Sequence, residues 1–250
     1  MLSNDHDHHC GSKQARVVTV DGVELALRYW PGGGSARAIV VVSHGFTASK
    51  DHRDVVALAE SLQARELDVL AYDARGHGQS TGVSTLGHLE RHDVAAAVAW
   101  AEQRHTRIVL VGASMGAIAV LAHAALASQI AGVVAVSSPP DWRIPLRPRA
   151  LIAAGLARTR PGRWVAEHHM SVHIDPRWIP PQTARSLEPR INTPLAIIHG
   201  QDDRIIPYTS ALATSTPVKR QATIVPDMGH AFHRASHNAI NDSIDWILEQ

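Results

Sequence analysis

Along this chain, short apolar runs alternate with longer stretches in which apolar residues recur every three or four positions. RVVTV (residues 16–20), a DG pair at Asp21 and Gly22, and VELALRYW (residues 23–30) predict an opening β-hairpin. AIVVVS (38–43) is apolar up to its final serine, the pattern of a strand buried on both faces of a parallel sheet. The next segment places Val55, Val56, Leu58, Ala59 and Leu62 on one face of a helix. DVLAYD (68–73), RIVLVG (107–112), VVAVSS (133–138), LAIIHG (195–200) and ATIVP (222–226) supply five further strands. Helical patterns separate most of them, and the last aligns Ile240, Ile244 and Ile247 in one stripe. Such alternation predicts an α/β fold: a mostly parallel central sheet with helices on both faces. No internal repeat interrupts it.

The rhythm stops between Pro139 and Arg190. A connection of that length inside a compact domain is expected to carry structure of its own, so the segment at about 139–190 is read as a small, mainly helical cap over the sheet. Residues 16–250 then form one domain, and residues 1–15 a flexible tail.

Composition narrows the picture. With 24 Lys plus Arg against 23 Asp plus Glu, the chain lacks the basic excess that binding phosphate backbones requires, so no nucleic-acid partner is expected. The single cysteine, Cys10, cannot form an intrachain disulfide, which suits a reducing compartment. The opening MLSNDHDHHCGSK has no apolar core of a secretory signal, and no run is long and apolar enough for a membrane span, so a cytoplasmic location is expected. The letters DHHC at residues 7–10 spell a signature of palmitoyl-transferring membrane enzymes, but the spans and cysteine-rich zinc domain of those enzymes are missing. His6, His8, His9 and Cys10 are potential metal ligands, yet a solvated terminal tail is the preferred reading.

The candidate chemistry lies in VLVGASMGAIAV (109–120), where Ser114 stands between Gly112 and Gly116 at a strand-to-helix junction. Ligands bind outside the carboxyl ends of parallel strands, and this serine falls at such an end. The turn of a nucleophile elbow is so tight that side chains two residues either side of the serine would collide, and glycine at both places removes the collision. Small residues also pack helix on strand, so the pentapeptide alone leaves a structural role open. A serine nucleophile needs a base and an acid behind it, in the chain order Ser, Asp or Glu, His on this kind of sheet. Both follow: HGQDDRIIP (199–207) offers Asp202 and Asp203, and DMGHAF (227–232) offers His230.

With HGFTASKD (44–51), YDARGHGQSTG (72–82), GASMG (112–116), HGQDDRIIP and GHAF in this order, the chain resembles the α/β-hydrolases from about Val17 to the C-terminus. Within them it is most similar to the serine hydrolases grouped with monoacylglycerol lipases, feruloyl esterases and serine aminopeptidases. The resemblance implies Ser114 as nucleophile, His230 as general base and then acid, and Asp203 as the residue orienting the imidazole. It implies an oxyanion hole of the backbone N–H groups of Phe46 and Met115, and no metal or organic cofactor. Asp203 fills the motif's acid position, four residues after His199, and Asp202 is the alternative. His233 and His237 are rivals to His230. His44 and His77, in glycine-flanked turns, are read as loop-fixing residues, and Asp73 and Arg75 as braces for the turn beneath the oxyanion loop. His88 and His92 are read as a solvated helix face.

A serine at the elbow argues against the haloalkane dehalogenase and epoxide hydrolase branches, which use aspartate. The expected activity is hydrolysis of a carboxylic ester of a small or medium acyl or aromatic acid through an acyl-enzyme. Thioester, peptide or carbon–carbon cleavage, acyl transfer to an alcohol or amine, and ligand binding without catalysis stay open as alternatives. The expected partner is a small-molecule ester, and the sequence does not speak to oligomeric state. The cap segment carries nine arginines against four acidic residues, and Trp142, Trp164 and Trp178 are candidate substrate contacts. That composition fits a substrate with an anionic portion, although solvated arginines and tryptophans packing the cap to the body are the plainer reading.

Overall fold

The computed structural model describes residues 11–34, 36–126, 129–140, 158–177, 179–209 and 220–250. The DHHC stretch, Trp142 and Trp178 lie outside these residues.

Eight strands form one sheet: β1 (Lys13–Val18), β2 (Glu24–Trp30), β3 (Ile39–Ser43), β4 (Asp68–Tyr72), β5 (Ile108–Ala113), β6 (Gly132–Val136), β7 (Leu195–Gly200) and β8 (Arg220–Val225). Their order is β1-β2-β4-β3-β5-β6-β7-β8. β2 pairs antiparallel with β1 and β4, and every pairing from β4 through β8 is parallel. This is the α/β-hydrolase fold. The described helices of at least one full turn are α1 (Arg53–Gln63), α2 (Glu90–Glu102), α3 (Met115–Ala124), α4 (Arg160–Met170), α5 (Ala184–Leu187) and α6 (His237–Leu248). None of the described helices is long and apolar enough to cross a membrane.

Strand residues alternate faces, so each apolar strand feeds two cores. Ile39 and Val41 point with Leu70, Tyr72, Ile108 and Leu110 into a cluster closed by α2, α3 and α5. Val40 and Val42 point with Val69, Ala71, Val109 and Val111 into a second cluster, closed by Val55, Leu58, Ala59 and Leu62 of α1 and by Ile240, Ile244 and Ile247 of α6. The central strands read as unbroken apolar runs because neither face meets water.

The edges differ from expectation. β1 begins at Lys13 rather than Arg16 and ends at Val18, because the ladder from Lys13↔Tyr29 to Val18↔Glu24 is made by backbone groups and needs no apolar side chain. Four of β1's six residues are exposed. Within 139–190, α4 buries only Ala166. After α4 the chain runs extended and is tied to the 76–84 loop: Ser84 N–H donates to His173 O and His173 N–H to Gly76 O, both at 2.7 Å, and Asp175 N–H donates to Ser84 O at 2.9 Å. Gly76, at φ 68°, permits this approach, since a Cβ there would stand 2.4 Å from His173 O.

Candidate active site

The junction of β5 and α3 holds Ser114 at φ 54°, ψ −114°, a conformation that L-residues rarely adopt. The flanking glycines account for the tightness. A Cβ on Gly112 would stand 2.4 Å from Gly116 O, and one on Gly116 would stand 2.2 Å from Ser43 O. Ser114 N–H donates to Val136 O at 2.9 Å, anchoring the elbow to β6. Ser114 occupies the N-cap position of α3 without capping it through the side chain, so the hydroxyl is not committed to the helix. Met115 is the first residue of α3, among the leading N–H groups that have no intrahelical acceptor.

Two loops at the same carboxyl edge bring Asp203 and His230 together. Gly200 lets them meet: a Cβ there would stand 2.2 Å from Met228 O, and Asp202 N–H donates to that oxygen at 3.0 Å. Of the two neighbouring acids, Asp202 is exposed and Asp203 is buried. Asp203 Oδ1 accepts the N–H groups of Ile205 and Ile206, each at 2.8 Å, while Oδ2 lies 2.7 Å from His230 Nδ1. Burial by itself raises the Asp203 carboxyl, but hydrogen bonding to His199 and His230 and the Ile206 amide outweigh it and hold the group well below the usual carboxylate range. An ionised carboxylate only accepts, so the Nδ1 of His230 that faces Asp203 carries a proton. Ala231, at φ 62°, donates its N–H to Ser137 Oγ at 3.2 Å, fixing the histidine loop to the end of β6. His233 is exposed and caps a following short helical turn, accepting from Ala235 N–H. His237 begins α6.

The loop after β3 is held from beneath. His44 is buried, with Nε2 accepting Ala74 N–H at 3.0 Å and Nδ1 therefore donating to Gly45 O at 2.8 Å. Burial pushes its pKa down to about 3, which keeps the ring neutral. The Gly45 carbonyl belongs to the same peptide unit as Phe46 N–H, so His44 sets the orientation of that amide. Further on, Lys50 is fully buried, its Nζ 3.1 Å from Asp73 Oδ2 and its N–H donating to Asp73 Oδ1 at 2.7 Å. Arg75 joins three elements, bonding Asp21 in the first hairpin turn at 2.7 and 3.0 Å and Asp93 of α2 at 2.9 Å. His77 packs edge-on to Phe46, ring centres 5.9 Å apart.

Ser114 and His230 line one cavity of about 200 Å³, with Phe46, Val55 and Phe232 as apolar wall and His52 and Asp54 as a polar rim. A larger hollow of about 720 Å³ opens at the opposite edge of the sheet, among Glu102, His105, Arg107 and Pro194, and holds none of these groups. Among the described residues no three His, Cys, Asp or Glu side chains gather as a metal site would require. His88 precedes α2, which starts at Glu90. Trp164 is 55% exposed and stacks on His168 of its own helix, ring centres 4.5 Å apart.

Three residues around the site carry no distinguishing mark in the sequence. In the sequence Lys50, Ser137 and His199 are letters within HGFTASKD, VVAVSS and HGQDDRIIP. All three are buried: Lys50 and Ser137 meet partners from other loops, and His199 meets Asp203 and Ile206 in the loop that follows its own strand.

Sheet order, elbow and helical layers together define an α/β-hydrolase. More narrowly, the chain belongs to the family described as serine aminopeptidase, S33, whose pattern matches residues 34–179. It is 36% identical over 127 residues to the monoglyceride lipase of Homo sapiens, an alignment covering 48% of this chain and 41% of the lipase. The chain thus spans less than half the length of that relative. A non-heme haloperoxidase of Rhodococcus erythropolis is 26% identical over 276 residues, covering 93% of this chain and 98% of that protein. Among solved structures, an esterase of Pyrococcus furiosus superposes with a TM-score of 0.74 at 21% identity, covering 98% of this chain and 96% of that one.

Proposed function

We propose that the chain is a serine hydrolase that cleaves a carboxylic ester of a small or medium acyl or aromatic acid. The observation that carries this reading is the 2.7 Å contact of His230 Nδ1 with the buried Asp203 carboxylate, beside a cavity shared by His230 and Ser114. Ser114 Oγ attacks the ester carbonyl carbon while His230 Nε2 takes its proton. Asp203 orients the ring and stabilises the imidazolium. The backbone N–H groups of Phe46 and Met115 receive the oxyanion, and each such donor is worth about a hundredfold to a thousandfold in turnover. Collapse expels the alcohol, which takes the proton from His230, and water repeats the sequence to release the acid and restore Ser114. The segment at about 139–190 serves as the cap, and its contacts set the acyl preference. The names of the lipase and esterase relatives support an ester as the substrate bond.

The family's name favours amide cleavage as a second reading, which the same machinery performs. Hydrolysis of a p-nitrophenyl ester series from acetate to palmitate, run beside aminoacyl p-nitroanilides, separates the two. Ester cleavage that vanishes in Ser114→Ala and His230→Ala is expected. Activity retained in either variant refutes the assignment.

A further inference from the structure

Beside the acid stands a second histidine that the proposed mechanism leaves idle. His199, near the end of β7, is wholly buried. Its Nε2 lies 3.0 Å from Ile206 O and 3.3 Å from Asp203 Oδ2. A carbonyl and a carboxylate both only accept, so Nε2 carries the proton. Nδ1 is buried and has no partner among the described residues, which carries a desolvation penalty. A leucine would fill this space without that penalty, so packing does not explain the imidazole. Its Nε2–H does.

That proton bonds Ile206 O, and Asp203 Oδ2, the oxygen that meets His230, lies 3.3 Å from the same nitrogen. The amides of Ile205 and Ile206 hold Oδ1, and rotation about the Cβ–Cγ bond moves both carboxylate oxygens together. Any such rotation displaces Oδ2, the oxygen 2.7 Å from His230 Nδ1, so a contact on Oδ2 restrains the same motion from the other side. His199 closes a ring against it: Nε2 meets Oδ2 and Ile206 O, and the N–H of the same Ile206 binds Oδ1. We infer that His199 is a positioning residue for the acid, locking the Asp203 carboxylate plane so that Oδ2 stays in line with His230 Nδ1–H.

This inference rests on the reading of Ser114, His230 and Asp203 given above. The alignment it secures matters when His230 becomes an imidazolium, in the transition state, and not when the ester first enters the cavity. Its loss therefore falls on kcat and not on KM. The test compares wild type, His199→Phe, His199→Gln and Ser114→Ala on p-nitrophenyl butyrate, with the far-downfield proton resonance of His230 Nδ1–H recorded for each. His199→Phe is expected to lower kcat about tenfold with KM within about twofold of wild type, and to shift or broaden the resonance. His199→Gln, whose amide N–H reaches towards Oδ2, is expected to recover most of the rate and the resonance. If His199→Phe does not fold, His199→Asn replaces it, since its shorter amide falls short of Oδ2. A kcat within about twofold of wild type in the Phe or Asn variant, or equal losses in it and the Gln variant with an unmoved resonance, overturns the inference. Activity surviving in Ser114→Ala overturns instead the parent reading.

Discussion

The backbone of Ser114 makes a quantitative prediction about what the elbow costs the fold. At φ 54°, ψ −114°, a residue with a Cβ stores about 1–3 kcal/mol of strain that glycine does not feel. Ser114→Ala keeps the Cβ and the strain, whereas Ser114→Gly relieves it. Glycine in turn loses about 0.4–1 kcal/mol through the greater freedom of the unfolded chain. The difference leaves the glycine variant ahead by about 1 kcal/mol. For a chain of this size that is about 2–4 °C in melting temperature. Both variants lack the hydroxyl, so under the proposed mechanism both are inactive and activity does not confuse the comparison. Differential scanning calorimetry of the two under identical buffer reads the gap directly. An alanine variant that melts at or above the glycine variant would refute the idea that strain is stored at the elbow.

Arg75→Met leaves Asp93 buried beside no cation and detaches the first hairpin turn from α2, and a loss of about 3–5 kcal/mol in urea unfolding is expected; a loss below about 1 kcal/mol would show the ion pairs to be incidental. His44 gives a pH signature. Its folded pKa of about 3 lies below the unfolded value of about 6.5, so the neutral ring stabilises the fold fully above pH 6.5, and that contribution declines as pH falls towards 3. Between pH 6.5 and 4.5 wild type is expected to lose up to about 1.4 kcal/mol per pH unit more than His44→Gln, and parallel curves would contradict it.

Sequence legibility followed burial on two faces. β3, β5, β6 and β7 stand out as apolar runs because both sides of the sheet are covered, and the apolar spacing of α1 and α6 matches the residues they bury. β1 and β8 are edge strands with exposed side chains, so their limits depend on backbone pairing that leaves little mark in residue type. The elbow was legible because Gly112 and Gly116 answer to a collision that spacing alone foretells. The family resemblance, through its acid position four residues after His199, pointed to Asp203, the acid that is buried, over its exposed neighbour Asp202. Lys50 could not be read this way. Its burial depends on Asp73, 23 residues away, and on Gln79, 29 residues away, which the fold brings beneath the same loop. Ser137 was hidden for the same reason, since it accepts an amide from the loop after β8; the partners of His199 follow it directly in the chain, but only the fold of that loop turns them back onto the ring.

The order of the strands also bears on how the chain is made. Synthesis delivers β3, β4 and β5 in succession, and β6 joins β5 soon after, with the Ser114 elbow already framed. The far side of β6, the apolar GVVAV, then waits for β7, which follows only after the long segment ending near Pro194. At about 5–20 residues per second the ribosome leaves that edge without its neighbour for roughly 3–12 s. During this interval an open, hydrophobic strand is a template for another nascent chain, and the yield of active protein should depend on chaperones that shield it.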